Sequence, residues 1–510
     1  MQTPRYEVEA GINGCLLIRD SHSSDLTSLT KHGLEFLEQQ SANQGLRRIL
    51  IVSDIDGNDL ACEMFYSNIQ QVIRSGAVNS IIFIGNDLYS HAYMFDEMRD
   101  KMFFQTTDEF LSSPFLDSIS GDAILLKIAP AFEPERIQTH LQSMAHETVL
   151  EINFDAMFHN IDYFRSKLRP ETKLMCMVKA SAYGSGSIEV AQALQHYGCN
   201  YLGVAFAHEG VELRKAGISL PIIVLDPVAP AMYHIIKHRL EPEIFSFSIL
   251  QETMNEVRRQ GMSDYPVHIK LDTGMHRSGF DTGDLPKLIK ILEGQQLVKV
   301  SSIMSHLASA DDTDMASDTF TLSQIEMFRS NAEQIKSSLG YPIMLHTLNT
   351  AGIERFSEYQ FDMVRLGIGL WGYNCENQDK LRNVCSLSTH IIQLKDVAAG
   401  ETVGYNRRGA VPSPKKVALL PLGYADGIDR RLGNGKASFF INGHKVHTIG
   451  NICMDLLMVD VTGLDVKVGD KVVIFSDEQP LSDIAGMLGT ITYEVLTSVS
   501  PRVRRVYYRE

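Results

Sequence analysis

Short apolar runs alternate with helix-length mixed segments over the first 145 residues. RRILIVSDIDG (47–57), NSIIFIGND (79–87) and DAILLKIAP (122–130) each predict a buried strand, and Glu63–Arg74 has a helical pattern. Strands that are apolar throughout are typical of parallel sheets covered by helices on both faces. This part of the chain therefore predicts a small doubly wound α/β domain.

A longer and more regular series of the same kind begins near residue 146. Its eight apolar runs, between residues 173 and 370, are KLMCMVKA, YLGVAF, PIIVLD, PEIFSF, VHIKLD, VSSIMSH, PIMLHTL and DMVRLGIG. Helix-length segments separate most of these runs. Eight β/α steps over about 200 residues predict a (β/α)8 barrel, the TIM-barrel fold of the α/β class.

After residue 376 the pattern changes to short strands with glycine turns. ASFFINGHKVHTIG (437–450) and VGDKVVIFSD (468–477) are examples. Alternating strands joined by such turns predict a β-rich C-terminal domain. The chain's 510 residues also exceed the roughly 150 expected of one domain. We therefore expect three domains, over residues 1–145, 146–376 and 377–510.

Charge narrows the classes of function. The formal net charge is −15, from 47 basic and 62 acidic residues. So acidic a chain is not expected to bind nucleic acid or anionic membranes. The excess is concentrated in residues 1–150, which hold 10 Lys and Arg against 21 Asp and Glu. The acidic imbalance thus marks the first domain.

Cysteine usage and the N-terminus bear on the compartment. The seven cysteines show neither a CxxC motif nor a zinc spacing, so we expect a reducing compartment and no metal site. The N-terminus lacks the basic start and apolar core of a signal peptide, and no run approaches the ~18 apolar residues of a spanning helix. We expect a cytoplasmic protein without membrane insertion.

Residues at the strand ends are the candidates for chemistry, because the loops of a barrel gather on one rim. Lys179 directly follows the apolar run MCMV, and we place it at the end of the first barrel strand. Partial burial there would lower the pKa of its amine enough for nucleophilic chemistry. A lone lysine at a strand end more often only extends its charge into solvent, so Lys179 alone is a weak signal.

The other strand ends strengthen that signal. The polar residues that follow strands five to eight include Arg277, His306, Asn349, Thr350 and Arg365, the last followed by Gly367 and Ile368. Backbone N–H groups of this glycine turn, with the Thr350 hydroxyl, predict an anion site where barrels commonly hold phosphate. A phosphorylated aldehyde held as an imine on Lys179 would use all of these parts.

Nine motifs follow one another in the last 360 residues. They are VKASAYGSG, HIKLDTGMHRSG, MSHLASAD, HTLNTAG, FDMVRLGIGLWG, VGYNRRG, LGYADGIDRR, GNICMDLLMVDV and GTITYEVL. In these motifs the chain, from about residue 146, resembles the alanine racemases, fold-type III enzymes that use pyridoxal 5'-phosphate (PLP). The resemblance implies PLP-dependent interconversion of L- and D-alanine for peptidoglycan synthesis, in a homodimer with shared active sites.

The resemblance also implies a role for each matching residue. Lys179 would hold the cofactor and act as one catalytic base, and Tyr424 would be the second base, reaching into the partner subunit's barrel. The other implied positions are the cofactor contacts Tyr183, His306, Asn349, Thr350, Arg365, Gly367, Ile368 and Tyr493, the substrate or cofactor contacts Arg277 and Met454, and Lys270, which is carbamylated in many members and steadies Arg277.

Physical reasoning supports two bases, because racemisation removes a proton from one face of the α-carbon and returns one to the other. A phenol has a pKa of about 10, so we expect cationic neighbours such as His306 and Arg365 to assist Tyr424. Arg365 is implied to face the pyridine nitrogen. A guanidinium keeps its proton and weakens the electron sink, which favours a racemase over the related barrel decarboxylases, where a carboxylate faces that nitrogen.

Four positions depart from the residues usual in the family. Ser181 stands for Asn or Asp, Ser185 for His, His276 for Gly, and Trp371 for Tyr. None of these changes removes a catalytic group, so we expect effects only on cofactor affinity or rate. For Trp371 we expect packing at the barrel rim.

Residues 1–145 resemble the C-terminal domain of the Mur ligase that adds D-Ala-D-Ala to the peptidoglycan precursor. The similar segments include LLIRDSHSSDLTSL (16–29) and SIIFIGND (80–87). The ligase's Asp-Ser-Tyr-Asn-Ala-Asn-Pro pattern is altered at 20–25, and the chain has no GxxxxGK[ST] loop for ATP. We expect a non-catalytic remnant, serving as a structural appendage or as a docking surface for cell-wall enzymes.

Two alternative functions stay open. A racemase of the same fold with a broader range, for example including serine, would share every motif, since pocket volume sets the substrate. A PLP-holding scaffold that recruits cell-wall enzymes would need no second base, so the presence of Tyr424 disfavours it.

Overall fold

The computed structural model describes residues 6–20, 31–42, 45–55, 59–142 and 148–509. By its internal contacts the chain divides into two compact units. Residues 1–155 together with 385–510 form the first, called the sheet unit, and residues 156–384 form the second, called the barrel unit. Within the described residues, no helix is both long and apolar enough to cross a membrane.

The sheet unit begins with an α/β module. Its elements are β1 (Tyr6–Ala10), β2 (Leu16–Asp20), α1 (Lys31–Ala42), β3 (Arg48–Ser53), α2 (Asp59–Ser75), β4 (Ser80–Ile84), α3 (Asn86–Ser90), β5 (Lys101–Phe104), α4 (Thr107–Leu111), α5 (Phe115–Ser118), β6 (Ala123–Lys127) and α6 (Pro134–Leu141). Strands β2, β6, β3, β4 and β5 lie parallel in that order. Every residue of β4 and β6 is buried, which explains their uninterrupted apolar sequences and confirms the α/β prediction. Residues 21–25 of the altered Mur pattern lie outside the described residues.

The barrel unit contains the eight parallel strands that the sequence predicts. After β7 (Val149–Asn153), which belongs to the sheet unit, come α7 (Phe154–Arg165), β8 (Lys173–Met177), α8 (Lys179–Tyr183), α9 (Ser187–His196), β9 (Tyr201–Val204), α10 (Ala207–Lys215), β10 (Ile222–Val224), α11 (Met232–Lys237), β11 (Glu241–Ile244), α12 (Phe247–Arg259), β12 (Tyr265–Lys270), α13 (Leu285–Glu293), β13 (Val298–Met304), α14 (Met315–Leu339), β14 (Met344–His346), α15 (Thr350–Arg355) and β15 (Met363–Leu366).

The strands follow one another around the ring, with β15 beside β8. Two backbone hydrogen bonds link the seventh strand's segment to the eighth. The Asp362 N–H donates to the Leu345 carbonyl at 3.0 Å, and the Arg365 N–H donates to the Leu348 carbonyl at 2.9 Å. The carboxyl ends of all eight strands therefore face one rim, where the candidate residues of the barrel unit lie.

The remaining strands of the sheet unit are short and mostly antiparallel. They are β16 (Cys385–His390), β17 (Gln393–Val397), β18 (Thr402–Val403), β19 (Gly409–Ala410), β20 (Lys415–Leu420), β21 (Ser438–Ile441), β22 (His444–Thr448), β23 (Leu457–Asp460), β24 (Lys471–Phe475) and β25 (Arg504–Arg509), with helices α16 (Leu481–Leu488) and α17 (Thr492–Thr497) before the last strand. An Asn442-Gly443 turn joins β21 to β22. The predicted β-rich C-terminal region is thus present.

One sheet joins the N-terminal module to this β-rich region. β1 pairs antiparallel with both β2 and β25, so fifteen of the described strands form a single sheet. Glu9 on β1 is buried and accepts a hydrogen bond from Arg504 Nη1 at 3.0 Å and one from Gln138 Nε2 at 3.2 Å. The first and last strands of the chain are therefore neighbours.

Candidate active site

Lys179 lies at the barrel rim, directly after the first barrel strand. β8 ends at Met177, two residues before Lys179, which opens the short segment α8 instead of ending the strand as predicted. The Lys179 side chain is half-buried, and its pKa is lowered first by this burial and next by the Arg277 charge. A lysine of lowered pKa offers a free amine closer to neutral pH, as covalent attachment to a carbonyl requires.

The backbone that follows Lys179 is left-handed. The φ angles of residues 180–183 lie between 50° and 55°, a conformation that costs roughly 1–2 kcal/mol per residue. Glu209 helps to hold it, because its Oε1 accepts the Ala180 N–H at 2.6 Å while Oε2 accepts the Ala205 N–H at 2.7 Å. Strain of this kind is concentrated at functional sites. No motif in the sequence marks Glu209 for this role.

Arg365 is a buried and firmly held cation. Its Nη2 donates to the carbonyls of Ser305 at 2.7 Å and Thr347 at 2.9 Å, and its Nη1 donates to the His346 carbonyl at 3.2 Å. Burial lowers the pKa of Arg365 to about 10, which still leaves the guanidinium protonated at neutral pH. The rim therefore contains a fixed cationic donor.

A chain of buried polar groups runs from Arg365 across the barrel. His346 Nδ1 lies 3.0 Å from Arg365 Nη1, and His346 Nε2 lies 2.9 Å from Ser302 Oγ. Ser302 Oγ lies 2.7 Å from His268 Nδ1, whose ring reaches Glu241 Oε2 at 2.8 Å through Nε2. Burial and the Arg365 charge lower the pKa of His346 well below its usual value. A neutral His346 can accept the Arg365 hydrogen bond and so fixes that side chain.

His306 follows β13, with its Nδ1 3.4 Å from Arg365 Nη2. Burial, followed by the Arg365 charge, lowers the pKa of His306 well below its usual value. The ring is therefore uncharged at neutral pH. This corrects the expectation that His306 supplies a positive charge to assist Tyr424.

The turn after β15 contacts the hydroxyl groups that were predicted to bind phosphate. Thr350 Oγ1 accepts the N–H groups of Gly367 at 3.1 Å and Gly369 at 3.3 Å. A Cβ on Gly367 would lie 2.9 Å from the Tyr183 hydroxyl, so the absence of a side chain lets that hydroxyl lie against the turn. Ile368 opens the helical segment that follows. Tyr183, Thr350, Gly367 and Ile368 thus converge.

Two further predicted residues serve local structure. Asn349 Oδ1 accepts the Gly352 N–H at 2.9 Å and so caps α15. Trp371 is fully buried, lies 4.3 Å from the Tyr183 ring between centroids, and donates from Nε1 to Ser185 Oγ at 2.9 Å. The expected packing of Trp371 is confirmed, and the departures at Ser185 and Trp371 form one hydrogen-bonded pair.

Lys270 and Arg277 have different surroundings. Lys270 Nζ donates to Glu243 Oε1 at 3.0 Å in a buried pair, and burial raises the pKa of Glu243 although Lys270 opposes this shift. Arg277 is exposed and has no hydrogen bond or ion pair within the part of the chain that the structure describes. His276 is also exposed, and its Nδ1 lies 3.5 Å from Asp272 Oδ2. Arg277 is thus free to bind an anion at the rim.

The sheet unit carries the other predicted residues on its surface. The exposed fractions are 43% for Tyr424, 53% for Met454 and 41% for Tyr493. Tyr424 opens a 3-10 turn whose first N–H donates to the Cys453 carbonyl at 3.1 Å, and the Ala425 N–H donates to the Met454 carbonyl at 3.0 Å. The Tyr424 turn and the Met454 loop are therefore tied together.

Two family models match consecutive stretches of the chain. The model described as alanine racemase, N-terminal domain, matches residues 152–375, and the model described as alanine racemase, C-terminal domain, matches residues 384–507. The chain belongs to the alanine racemase family. Residues 1–151 lie outside both matches.

Curated relatives agree with this assignment to the alanine racemases. Alanine racemase 1 of Clostridium acetobutylicum is 36% identical over 375 residues, which are 70% of this chain and 95% of that protein. Alanine racemase of Thermodesulfovibrio yellowstonii is 35% identical over 368 residues, which are 71% of this chain and 97% of the relative.

Solved structures of alanine racemases are also similar to the chain. The enzyme of Clostridium difficile 630 has a TM-score of 0.67 at 30% identity, covering 72% of this chain and 97% of the other. The enzyme of Bartonella henselae, solved with covalently bound pyridoxal phosphate, has a TM-score of 0.64 at 30% identity, covering 71% and 99%. The Bacillus anthracis enzyme, solved with bound L-Ala-P, has a TM-score of 0.66 at 28% identity, covering 72% and 96%.

The barrel rim fits the cofactor of an alanine racemase on its own geometry. Lys179 offers an amine of lowered pKa. The Gly367 turn leaves room for the Tyr183 hydroxyl and holds the Thr350 hydroxyl through the Gly367 N–H, and the N–H of Ile368 is of the kind that binds phosphate. Arg365 supplies a guanidinium held by backbone carbonyls. The rim therefore has a group suited to covalent attachment of the cofactor, groups suited to binding its phosphate and a group suited to contact with its ring.

Proposed function

We propose that this member of the alanine racemase family interconverts L- and D-alanine, with PLP held on Lys179. The observation that carries the proposal is the barrel rim, where a half-buried lysine of lowered pKa is influenced by the unpaired charge of Arg277. PLP, when bound, supplies an electron sink that makes the α C–H bond of an amino acid acidic.

The rim would hold the cofactor at three points. Lys179 provides covalent attachment. The Tyr183 and Thr350 hydroxyls and the Ile368 N–H would bind the phosphate, since such turns form anion-binding concavities, while the Gly367 N–H is already donated to Thr350 Oγ1. Arg365 would donate a hydrogen bond to the ring nitrogen. Because Arg365 stays protonated at neutral pH, it would polarise that nitrogen without transferring a proton to it.

Arg277 would orient the substrate. Its guanidinium has no competing partner within the described ranges and can form paired hydrogen bonds with a carboxylate. The backbone N–H of Met454, on the loop tied to the Tyr424 turn, would be a second donor for the carboxylate or the cofactor oxygen in the barrel of a second copy of the chain. When the carboxylate is held in place, each face of the α-carbon points in a fixed direction, so that each base can meet its own face.

Lys179 and Tyr424 would be these bases, each moving a proton at one face of the α-carbon. A single fixed group cannot serve both faces, so two groups allow inversion within one binding event. The exposed position of Tyr424 on the sheet unit suits a base that is supplied to a second copy of the chain. We therefore propose a homodimer that shares its active sites.

The N-terminal module would not take part in this chemistry. We propose that residues 1–145 form a Mur-ligase-like domain, followed along the chain by a barrel (146–376) and a C-terminal domain (377–510). This first domain would serve as a structural appendage or as a docking surface for cell-wall synthesis enzymes. A cytoplasmic site of action fits the seven free cysteines, and D-alanine would serve peptidoglycan synthesis.

Purified full-length protein loaded with PLP tests the proposal. We expect L-alanine to lose its optical activity until both enantiomers are equal, at a rate well above those for serine and other amino acids. Lys179→Ala should abolish turnover because it removes both attachment and one base. Turnover of alanine that survives in Lys179→Ala, or a clear preference for another amino acid, would contradict it.

A further inference from the structure

Three surface segments of the sheet unit meet at the guanidinium of Arg502. The first is the turn that opens at Tyr424, and the second is the loop around Met454. The third is the stretch that leads from Tyr493 on α17 to β25 and contains Arg502 itself. Each segment carries one residue that was predicted for the site, and the arginine that joins them was not predicted.

Arg502 binds the first two segments directly. Its Nε donates to Asp426 Oδ1 at 2.6 Å and its Nη2 donates to Asp426 Oδ2 at 3.0 Å. Nη2 also donates to Asp455 Oδ1 at 2.8 Å. Asp426 lies two residues after Tyr424, and Asp455 directly follows Met454. One guanidinium therefore bridges the two segments that carry these site residues.

Asp426 is the buried centre of this arrangement, with 1% of its surface exposed. Its Oδ2 also accepts the Gly423 N–H at 2.7 Å, which closes the turn around Tyr424. A Cβ on Gly423 would lie 2.3 Å from the Met454 carbonyl oxygen, so turn and loop are in direct backbone contact. Loss of Arg502 would remove this cation from a buried carboxylate and loosen both segments.

We propose that Arg502 is a positioning residue for the reaction, which fixes the Tyr424 hydroxyl relative to the Met454 backbone by clamping Asp426 and Asp455. This inference rests on the proposed role of Tyr424 as the second base. A planar guanidinium can bridge two carboxylates in one geometry, whereas a lysine provides a single point charge. A reacting group displaced by about 1 Å can lose about 100-fold in rate.

Exchange of the α-proton separates a misplaced base from general damage. Because the two enantiomers are equally stable, kcat/KM must fall equally in both directions of racemisation whichever base is impaired. Wash-out of an α-deuterium into water has no such constraint, since one base is enough to exchange the proton of one enantiomer. The two wash-out rates therefore report on the two bases separately, and their ratio shows which base is impaired.

In the full-length holoenzyme, Tyr424→Phe is expected to suppress wash-out from one enantiomer of alanine and to spare the other. Arg502→Gln should give the same asymmetry, with a loss of about 10- to 100-fold for the affected enantiomer, and Arg502→Lys should lie between it and the native protein. Arg431→Gln is the matched control, because Arg431 makes a similar two-pronged contact with Asp429, at 3.1 and 2.8 Å, outside this cluster.

Amide hydrogen exchange gives a second readout that does not depend on activity. Arg502→Gln should speed exchange in residues 421–427 and 452–456, and Arg431→Gln should not. Unchanged exchange in those segments, or equal loss of wash-out from both enantiomers, overturns the positioning role. If Tyr424→Phe spares both wash-out rates, the second base itself is wrongly assigned and the inference falls with it.

Discussion

The contact between Glu9 and Arg504 offers a quantitative test of how the N-terminal module is joined to the rest of the sheet unit. Glu9 is 3% exposed, the Arg504 side chain is 22% exposed, and Arg504 Nη1 lies 3.0 Å from Glu9 Oε2. Unit charges 4 Å apart attract by about 4 kcal/mol at an effective dielectric constant of about 20. The cost of desolvation offsets part of this attraction.

We expect Glu9→Gln or Arg504→Met alone to destabilise the pairing of β1 with β25 by about 3 kcal/mol, since each removes the opposite charge from a partly or fully buried one. The double variant should cost less than the sum of the two, with a coupling of about 2 kcal/mol, the range of hydrogen bonds to charged groups. Because Arg504 is partly exposed to solvent, both values are taken from the lower half of the ranges known for broken buried ion pairs and for hydrogen bonds to charged groups.

Native-state hydrogen exchange is the assay, because the register pairs Val8 with Tyr507 and both strands yield protected amides. The free energy of opening is measured on peptides that cover β1 and β25 in the two single variants and the double variant. Arg136→Gln, which removes an exposed contact with Glu133, should change it by less than about 1 kcal/mol. Additive effects of the Glu9 and Arg504 changes would refute the reasoning.

Three further predictions concern the barrel rim. Lys270 should stay unmodified when the protein is incubated with isotope-labelled bicarbonate, because a carbamate would add a second negative charge beside buried Glu243; a carbamate signal in the NMR spectrum would contradict this. Gly369→Ala should weaken PLP binding about 10-fold or more, since the new Cβ would lie 2.5 Å from a ring carbon of buried Phe164; unchanged affinity in an absorbance titration would count against phosphate binding at the turn after β15. Arg277→Gln should raise the pKa of Lys179, because the Arg277 charge now lowers it. Capture of PLP by the apoprotein, which needs the free amine, should then require higher pH, and an unshifted pH profile would show that the two side chains are not coupled.

The barrel strands could be predicted because parallel strands buried on both faces have continuous apolar sequences. All eight runs correspond to strands in the predicted order. The error at the end of β8 has a clear cause. The residues around Val178 continue the apolar pattern, but the backbone turns left-handed from Ala180 onward, and side-chain polarity does not report the sign of φ at residues other than glycine.

The site could be predicted only where residues lie in motifs. Glu243, Glu209 and Arg502 were missed because each acts through a partner distant in the sequence, and a single polar residue in a strand or loop carries no sign of that partner. The junction of the N-terminal module is the extreme case. Glu9 and Arg504 are 495 positions apart, and no local pattern reveals that β1 pairs with the last strand.

Conversion of α-deuterated L-alanine in ordinary water, analysed within the first turnover, tests the two-base account most directly. If Lys179 and Tyr424 act on opposite faces, the proton that reaches the product comes from a different group than the one that took up the deuterium. The account predicts D-alanine that carries a solvent proton at its α-carbon from the first turnover. D-alanine that retains the deuterium would show that one group serves both faces, and would contradict the account.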